Sequence, residues 1–143
     1  MAEAPVIVWF RRDLRLGDHA ALTAAVQNRR PVLPVFIHDE TVAALGAAPK
    51  WRLGLAIEVL DASLRQLGSR LILRRGAALE VLGDLIAQTG AEAVYWSRYY
   101  EPAHIARDVE VKAALSARGI EARSFAGALL AEPRSVVTGA GRP

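Results

Sequence analysis

Short apolar runs alternate along the chain with longer segments whose apolar residues recur at helical spacing. The runs predict five strands, at Val6–Phe10, Val32–Ile37, Leu71–Leu73, Ala93–Trp96 and Glu121–Phe125. The first, second and fourth are nearly continuous apolar runs, which is typical of parallel strands covered on both faces. The pattern therefore favours an α/β domain.

Four helices are predicted between the strands. Asp18 is expected to cap the first, HAALTAAVQN, because its carboxylate can accept hydrogen bonds from the free amides of the opening turn. Pro49 is expected in the first turn of the second. The apolar residues of that second helix should share one face, namely Ile57, Leu60, Leu64 and Leu67.

The third helix should cover roughly Ala77–Thr89 and the fourth roughly Pro102–Arg118. Glycines that favour a left-handed conformation follow three of the helices, at Gly68, Gly90 and Gly119. Five strands joined by four crossover helices predict a doubly wound five-stranded parallel sheet with helices on both faces.

Composition narrows the possible classes. The 143 residues suit one domain, and 52% hydrophobic with 23% charged residues is a globular balance. No apolar run approaches the roughly 18 residues of a membrane-spanning helix, so we expect no membrane partner. The chain has no cysteine, which is compatible with the cytoplasm, where we expect it. The net charge of +3 tolerates a nucleic-acid partner without requiring one.

Ligands of open parallel sheets bind beyond the carboxyl ends of the strands, so the segments that follow the strands are the places to look. Charged residues gather in three of them, RRDLRLGDH, HDETVAALGAAPKWR and SRYYEPAH. No dinucleotide or P-loop glycine motif and no serine nucleophile motif occurs, and the histidines lack metal-ligand spacing. The residues predict a binding domain with no catalytic group and no metal.

The segment VWFRRDLRLGDHAAL strongly resembles the N-terminal signature of the DNA photolyase/cryptochrome family. The likeness continues in PVFIHDE, EAVYWSRYYEPAHIARDVEVKAAL and LLAEPRSVVTGAGRP, so it covers essentially the whole chain. The resemblance implies a Rossmann-like α/β domain that accommodates an antenna chromophore, which is a folate, a deazaflavin or a flavin. It is closest to bacterial cyclobutane pyrimidine dimer photolyases.

In that family a larger helical domain holds the catalytic FAD and the lesion-binding pocket. The resemblance therefore implies an antenna domain at residues 1–127 and the start of an interdomain linker at 128–143. The parent would be a carbon–carbon lyase that repairs UV-damaged DNA, with the missing FAD-binding helical domain as partner, and the present chain would be inactive alone. A cryptochrome-type photoreceptor domain and a stand-alone nucleotide-binding module of the same fold are the alternatives.

The arginines after the first strand, Arg11, Arg12 and Arg15, allow two interpretations. In the first, they contribute to a chromophore site or to a DNA-facing surface. In the second, they form ion pairs with Asp13 in a loop that packs on the linker and the partner domain. The second is favoured, because closely spaced Arg and Asp residues can neutralise each other without a ligand.

The resemblance implies an antenna pocket near the second strand and the second helix. Its candidate residues are Ile37, His38, Asp39, Lys50, Trp51 and Arg52. A planar ring can stack on an indole or an arginine, and a helix N-terminus offers free amides. The alternative is a solvated helix start with Trp51 half-buried on the sheet.

Ser97, Tyr99 and Glu101 follow the fourth strand as a third candidate group. Glu101 matches an acid that helps hold the ring in deazaflavin-binding relatives, but Tyr99 replaces a second acid. Where folate-binding relatives carry an Asn-Glu pair, this chain has Ala103 and His104. Glu101 as a plain helix-start carboxylate is the alternative.

Two further expectations concern packing. On the fourth helix, Ile105 and Val109 are expected to face the core, with Arg107 and Asp108 outside that stripe. The tryptophans that end two apolar strands, Trp9 and Trp96, are expected in the core.

Overall fold

The computed structural model describes residues 3–126. The elements in chain order are β1 (Val6–Phe10), α1 (Ala20–Gln27), β2 (Val32–His38), α2 (Glu40–Ala43), α3 (Ala47–Gln66), β3 (Ile72–Arg75), α4 (Ala78–Thr89), β4 (Ala93–Ser97), α5 (Pro102–Ala117) and β5 (Glu121–Phe125). The predicted linker at 128–143 lies outside the described residues. No helix in the described range is long and apolar enough to span a bilayer.

The five strands form one all-parallel sheet in the order β3-β2-β1-β4-β5. This arrangement confirms the predicted doubly wound sheet. From β1 the chain winds outward to β3, and then returns to the other side of β1 as β4. The winding direction therefore reverses between β1 and β4, and a crevice is expected beyond their carboxyl ends.

Alternate residues of the strands pack into two cores, one on each face of the sheet. One core joins Ile7, Trp9 and Trp96 to α4 and α5. The other joins Val6, Val8 and Phe10 of β1 to α1 and α3. Trp9 and Trp96 are completely buried, with ring centroids 5.8 Å apart in an edge-to-face arrangement, which confirms both as core residues.

The predicted cap of the first helix is wrong. His19 is the N-cap, and its Nδ1 accepts a hydrogen bond from the Leu22 amide at 3.1 Å. An N-cap needs extended backbone, which His19 has with φ of −130°, whereas Asp18 lies in the left-handed region with φ of 49°. The Asp18 carbonyl instead accepts hydrogen bonds from the Arg15 guanidinium.

The second predicted helix corresponds to α3, with Pro49 in its first turn as expected. Leu60 and Leu64 are buried, but Leu67 is exposed, because the helix ends one residue earlier and the helical periodicity no longer applies. The three glycines after helices have positive φ, as predicted. Helix α2 was not predicted.

The predicted inward face of α5 is also wrong. Val111 and Leu115 are buried, whereas Ile105 and Val109 are exposed. Residues three and four positions before Val111 share its side of the helix, and these are Asp108 and Arg107. The inward face of α5 is therefore apolar near the middle of the sheet and polar at the carboxyl edge.

Candidate functional site

A cleft of about 380 Å³, counted with its solvent-filled mouth, lies at the carboxyl ends of β1, β2 and β4. Its floor is apolar, formed by Trp9, Phe36, Ile37, Val42, Leu45 and Leu53. Its polar lining residues are Arg11, Arg12, Asp39, Thr41, Tyr99, His104 and Arg107. The cleft lies where the topology places the crevice of an open parallel sheet.

Arg11 lies buried between the ends of β1 and β4 and the start of α5. Its Nη1 donates to the Ser97 carbonyl at 3.2 Å and to Asp108 Oδ2 at 2.8 Å. The guanidinium carbon also lies 4.7 Å from the centre of the Tyr99 ring. Burial lowers the pKa of Arg11 and the Asp108 carboxylate opposes that effect, so the paired side chain keeps its charge.

Arg107 of α5 forms an ion pair that links α5 to helix α2. Its Nη1 pairs with Asp39 Oδ2, while Asp39 Oδ1 caps α2 by accepting from the amides of Thr41 and Val42 at 3.0 and 3.3 Å. Thr41 and Val42 both line the cleft. The ion pair therefore holds one wall of the cleft in place.

Tyr99 presents a protonated phenol to the cleft. Burial and the nearby Asp13 carboxylate raise the pKa of Tyr99 to about 12. Its oxygen accepts from the Arg12 amide at 3.0 Å, and the hydroxyl hydrogen has no acceptor within the described part of the chain. The phenol can therefore donate to a ligand oxygen.

Asp13 fixes the loop beneath the cleft. It accepts from the Arg11 amide at 2.9 Å and the Ser97 hydroxyl at 2.7 Å, and His19 Nε2 lies 2.5 Å from Oδ2. Since His19 Nδ1 accepts from Leu22, the hydrogen of the neutral His19 ring lies on Nε2, beside the Asp13 carboxylate. Burial raises the pKa of Asp13, but these hydrogen bonds outweigh burial and bring it to about 2.

We expect Asp13→Asn to lower the free energy of unfolding by about 2 kcal/mol at pH 7. The pKa in the folded chain lies below the ordinary 3.8, so the unfolded chain takes up the proton first as pH falls. The contribution of the Asp13 carboxylate to stability is complete above pH 3.8 and is lost as the pH falls towards 2. Urea unfolding of both proteins across this range should show their stabilities converging in acid. Asp84→Asn, at an exposed position on α4, is the control and should match the wild type throughout.

The predicted site residues are only partly brought together. Four of them line the cleft, namely Arg11, Ile37, Asp39 and Tyr99. Ser97 supports Asp13 from below, and Glu101 lies at the rim, paired with Arg12 at 3.1 Å. The others do not line the cleft, namely His38, Lys50, Trp51 and Arg52. Trp51 is 68% exposed, so the alternative of a half-buried Trp51 is wrong.

The arginines of the first loop are paired, but not within the loop as expected. Arg11 pairs with Asp108 and Arg12 with Glu101, whereas Asp13 accepts from the Arg11 backbone amide rather than from its guanidinium. Both acidic partners come from α5 or the residue before it. The expected packing of this loop on a partner domain stays a prediction.

Sequence reasoning missed the contribution of α5 to the cleft. His104 and Arg107 line it, and Asp108 anchors Arg11. The sequence does contain a signal for this contribution. Positions 104, 107, 108, 111 and 115 recur at helical spacing, and the last two are buried apolar residues. No group of three potential metal ligands occurs within residues 3–126.

A sequence model described as DNA photolyase matches residues 6–143 of this chain. The chain is 46% identical over 140 residues to a deoxyribodipyrimidine photo-lyase of Agrobacterium fabrum, which covers 98% of this chain and 29% of that protein. It is 40% identical over 141 residues to Cryptochrome-1 of Arabidopsis thaliana, which covers 96% of this chain and 21% of that protein. The chain thus spans less than a third of the length of these relatives.

Solved structures show the same similarity. The crystal structure of a bacterial class III photolyase from Agrobacterium tumefaciens matches with a TM-score of 0.94 and 45% identity, over 100% of this chain and 30% of that one. An archaeal photolyase from Sulfolobus tokodaii, described with two FAD molecules and an implied novel light-harvesting cofactor, matches with a TM-score of 0.81 and 31% identity. That match covers 94% of this chain and 32% of the archaeal one.

Proposed function

Because the chain belongs to the DNA photolyase family, we propose that its cleft holds the light-harvesting chromophore of a longer, light-driven DNA-repair enzyme. The observation that carries the proposal is an apolar floor bordered by three arginines and a protonated phenol. This donor set fits a planar aromatic group that bears carbonyl or anionic oxygens. A bound pigment of this kind would absorb light and pass the excitation energy on.

The residues of the chain position such a group rather than react with it. Val42, Leu45 and Leu53 are partly exposed and supply the apolar contact, and Arg11 and Tyr99 supply donors fixed by their own partners. Asp39 already accepts from Arg107 and from α2, so it is an anchor of the wall more than a free acceptor. The named relative from Sulfolobus supports a light-harvesting cofactor, and a folate, a deazaflavin and a flavin are the candidates.

The parent protein we propose is a deoxyribodipyrimidine photo-lyase that also carries an FAD-binding helical domain and acts on UV-damaged DNA in the cytoplasm. Support comes from the relatives of that name, of which this chain covers about 30%. We expect the 143-residue chain to repair no DNA unaided, because none of its described residues forms a pocket for FAD or for a flipped-out pyrimidine dimer.

A cryptochrome-type photoreceptor is the second candidate, favoured by the 40% identity to Cryptochrome-1. The parent protein, illuminated with DNA that contains cyclobutane dimers, distinguishes the two. Loss of dimers only in the light supports repair. Unchanged dimers with an intact flavin spectrum support the photoreceptor instead.

Titration of the chain with a reduced folate, a deazaflavin and a flavin tests the cleft directly. We expect one of them to quench the tryptophan fluorescence of the chain with weak affinity, on the order of 0.1 mM, because the cleft is open on one side. Arg107→Met should weaken this binding about tenfold, since it removes a charged donor and the anchor of α2. Lys112→Met, on the exposed side of the same helix, should leave binding unchanged.

Absence of quenching by all three compounds up to about 1 mM contradicts the assignment of the cleft. Tight stoichiometric binding by the chain alone contradicts the expected weak affinity of the open cleft. Far-UV circular dichroism of Arg107→Met separates a lost donor from a lost fold.

A further inference from the structure

We propose that His104 is a proton-sensitive switch that joins α5 to the loop after β1 when neutral and loosens the wall of the cleft when charged. The consequence for the chromophore rests on the function proposed above, whereas the switch itself rests on the geometry around the imidazole. His104 lies buried at the junction of the two elements, only 8% exposed.

The hydrogen bonds of the ring fix its protonation state. Nδ1 lies 2.9 Å from Arg11 Nη2 and 3.4 Å from Arg107 Nη2. Arginine nitrogens can only donate, so Nδ1 must be an acceptor and carries no hydrogen. The single proton of the neutral ring is therefore on Nε2, which lies 3.2 Å from Glu101 Oε2.

The charges that surround the ring balance only while it is neutral. Three arginines and three carboxylates either face the ring or form an ion pair with a group that faces it. They are Arg11, Arg12, Arg107, Asp39, Glu101 and Asp108. The Tyr99 ring packs beside the imidazole, with centroids 5.7 Å apart, and remains an uncharged phenol. A proton on Nδ1 adds a fourth cation and places its N–H against two guanidinium groups.

Protonation therefore removes the acceptor that Arg11 and Arg107 share. The ring cannot keep both contacts, and it must turn away from them towards Glu101 and solvent. Arg11 then holds α5 through Asp108 alone. Because Arg107 also anchors α2, the disturbance reaches two walls of the cleft.

The same groups set the direction of the pKa. Burial, followed by the charges of Arg11 and Arg107, lowers the pKa of His104 below the ordinary 6.5, and Glu101 partly opposes this. The folded chain thus resists the proton more than the unfolded chain. The contacts of the neutral ring with Arg11 and Arg107 are therefore complete above pH 6.5. They are lost as the pH falls through the lower pKa that His104 has in the folded chain.

Histidine side-chain NMR of the ligand-free chain, from about pH 8 to about pH 5, tests the switch. We expect His104 to titrate with a midpoint below 6.5, and the Trp9 indole and Tyr99 ring signals to shift with the same midpoint. His104→Gln keeps an oxygen that can accept from arginine but does not titrate. In that variant the Trp9 and Tyr99 signals should stay constant, while the two remaining histidines provide the internal comparison.

Two results would overturn the proposal: Trp9 and Tyr99 signals that do not move as His104 titrates, or signals that move equally in His104→Gln. Glu101→Gln supplies an independent check, because loss of the carboxylate beside Nε2 should shift the His104 midpoint to lower pH. An unchanged or higher midpoint contradicts the geometry. Circular dichroism over the same range confirms that the chain stays folded.

The NMR readout needs no chromophore, so it is separate from the proposed function. If none of the three pigment classes binds at any pH, the assignment of the cleft fails while the switch is still decided by the spectra. If one binds, we expect its affinity to fall in acid for the wild type and to stay constant for His104→Gln. An affinity that falls equally in both proteins contradicts the coupling of His104 to the cleft.

Discussion

Replacing Trp96 with alanine is expected to lower the free energy of unfolding by about 4 kcal/mol. The side chain is completely buried and packs edge-to-face on Trp9, so its removal leaves a cavity that the rigid parallel sheet cannot close. Urea unfolding followed by circular dichroism measures the loss. Trp51→Ala is the matched control and should change stability by less than about 0.5 kcal/mol, since Trp51 is 68% exposed.

Trp96→Phe sharpens this test. The indole N–H of Trp96 has no acceptor among the described residues. Phenylalanine therefore loses part of the packing but removes an unsatisfied donor, and we expect a cost of only about 1 kcal/mol. A loss as large as that of the alanine variant would contradict this expectation, because it would mean that the phenyl ring replaces none of the packing of the indole.

Replacing Arg11 with methionine is expected to cost about 3 kcal/mol, because it removes the close buried partner of the Asp108 carboxylate and leaves it only the Arg107 guanidinium, whose Nε is 3.7 Å away. Methionine retains much of the side-chain volume, so the loss reports on charge rather than on a cavity. Arg12→Met is the neighbouring control. The Arg12–Glu101 pair is about half exposed, at 49% and 52%, and its removal should cost less than about 0.5 kcal/mol.

A double-mutant cycle identifies the partner. Asp108→Asn in the Arg11→Met background should cost less than Asp108→Asn in the wild type, with a coupling of at least about 1 kcal/mol. Strictly additive losses would mean that Arg11 stabilises the chain through its contacts with Ser97 and His104 instead of through Asp108.

The strands were predictable because parallel strands buried on both faces leave an apolar run in the sequence that does not depend on their partners. Two of the five, β1 and β5, begin and end as predicted. The third strand was predicted at Leu71–Leu73, but β3 covers Ile72–Arg75. Its second half was missed because Arg74 and Arg75 pair with β2 through the backbone at an exposed edge. Side-chain patterning cannot report such pairing.

The location of the site was predictable from topology, but its composition was not. The rule for open sheets pointed to the loops after the strands, where Arg11, Asp39 and Tyr99 lie. Helix α2 is four residues long, too short for a periodic signal, and depends on an Asp39–Arg107 contact between residues far apart in the chain. The assignment of Ile105 and Val109 to the core failed for a different reason, because apolar character alone does not decide which side of α5 faces inward.

The placement of Arg74 and Arg75 on the outermost strand β3 has a consequence for handling the protein. Positive charge along an unpaired strand repels the same strand of another molecule and so discourages fibril growth by edge-to-edge addition. Concentrated samples should therefore remain monodisperse in dilute buffer, and added salt, by shielding that repulsion, should be the condition that first makes them associate.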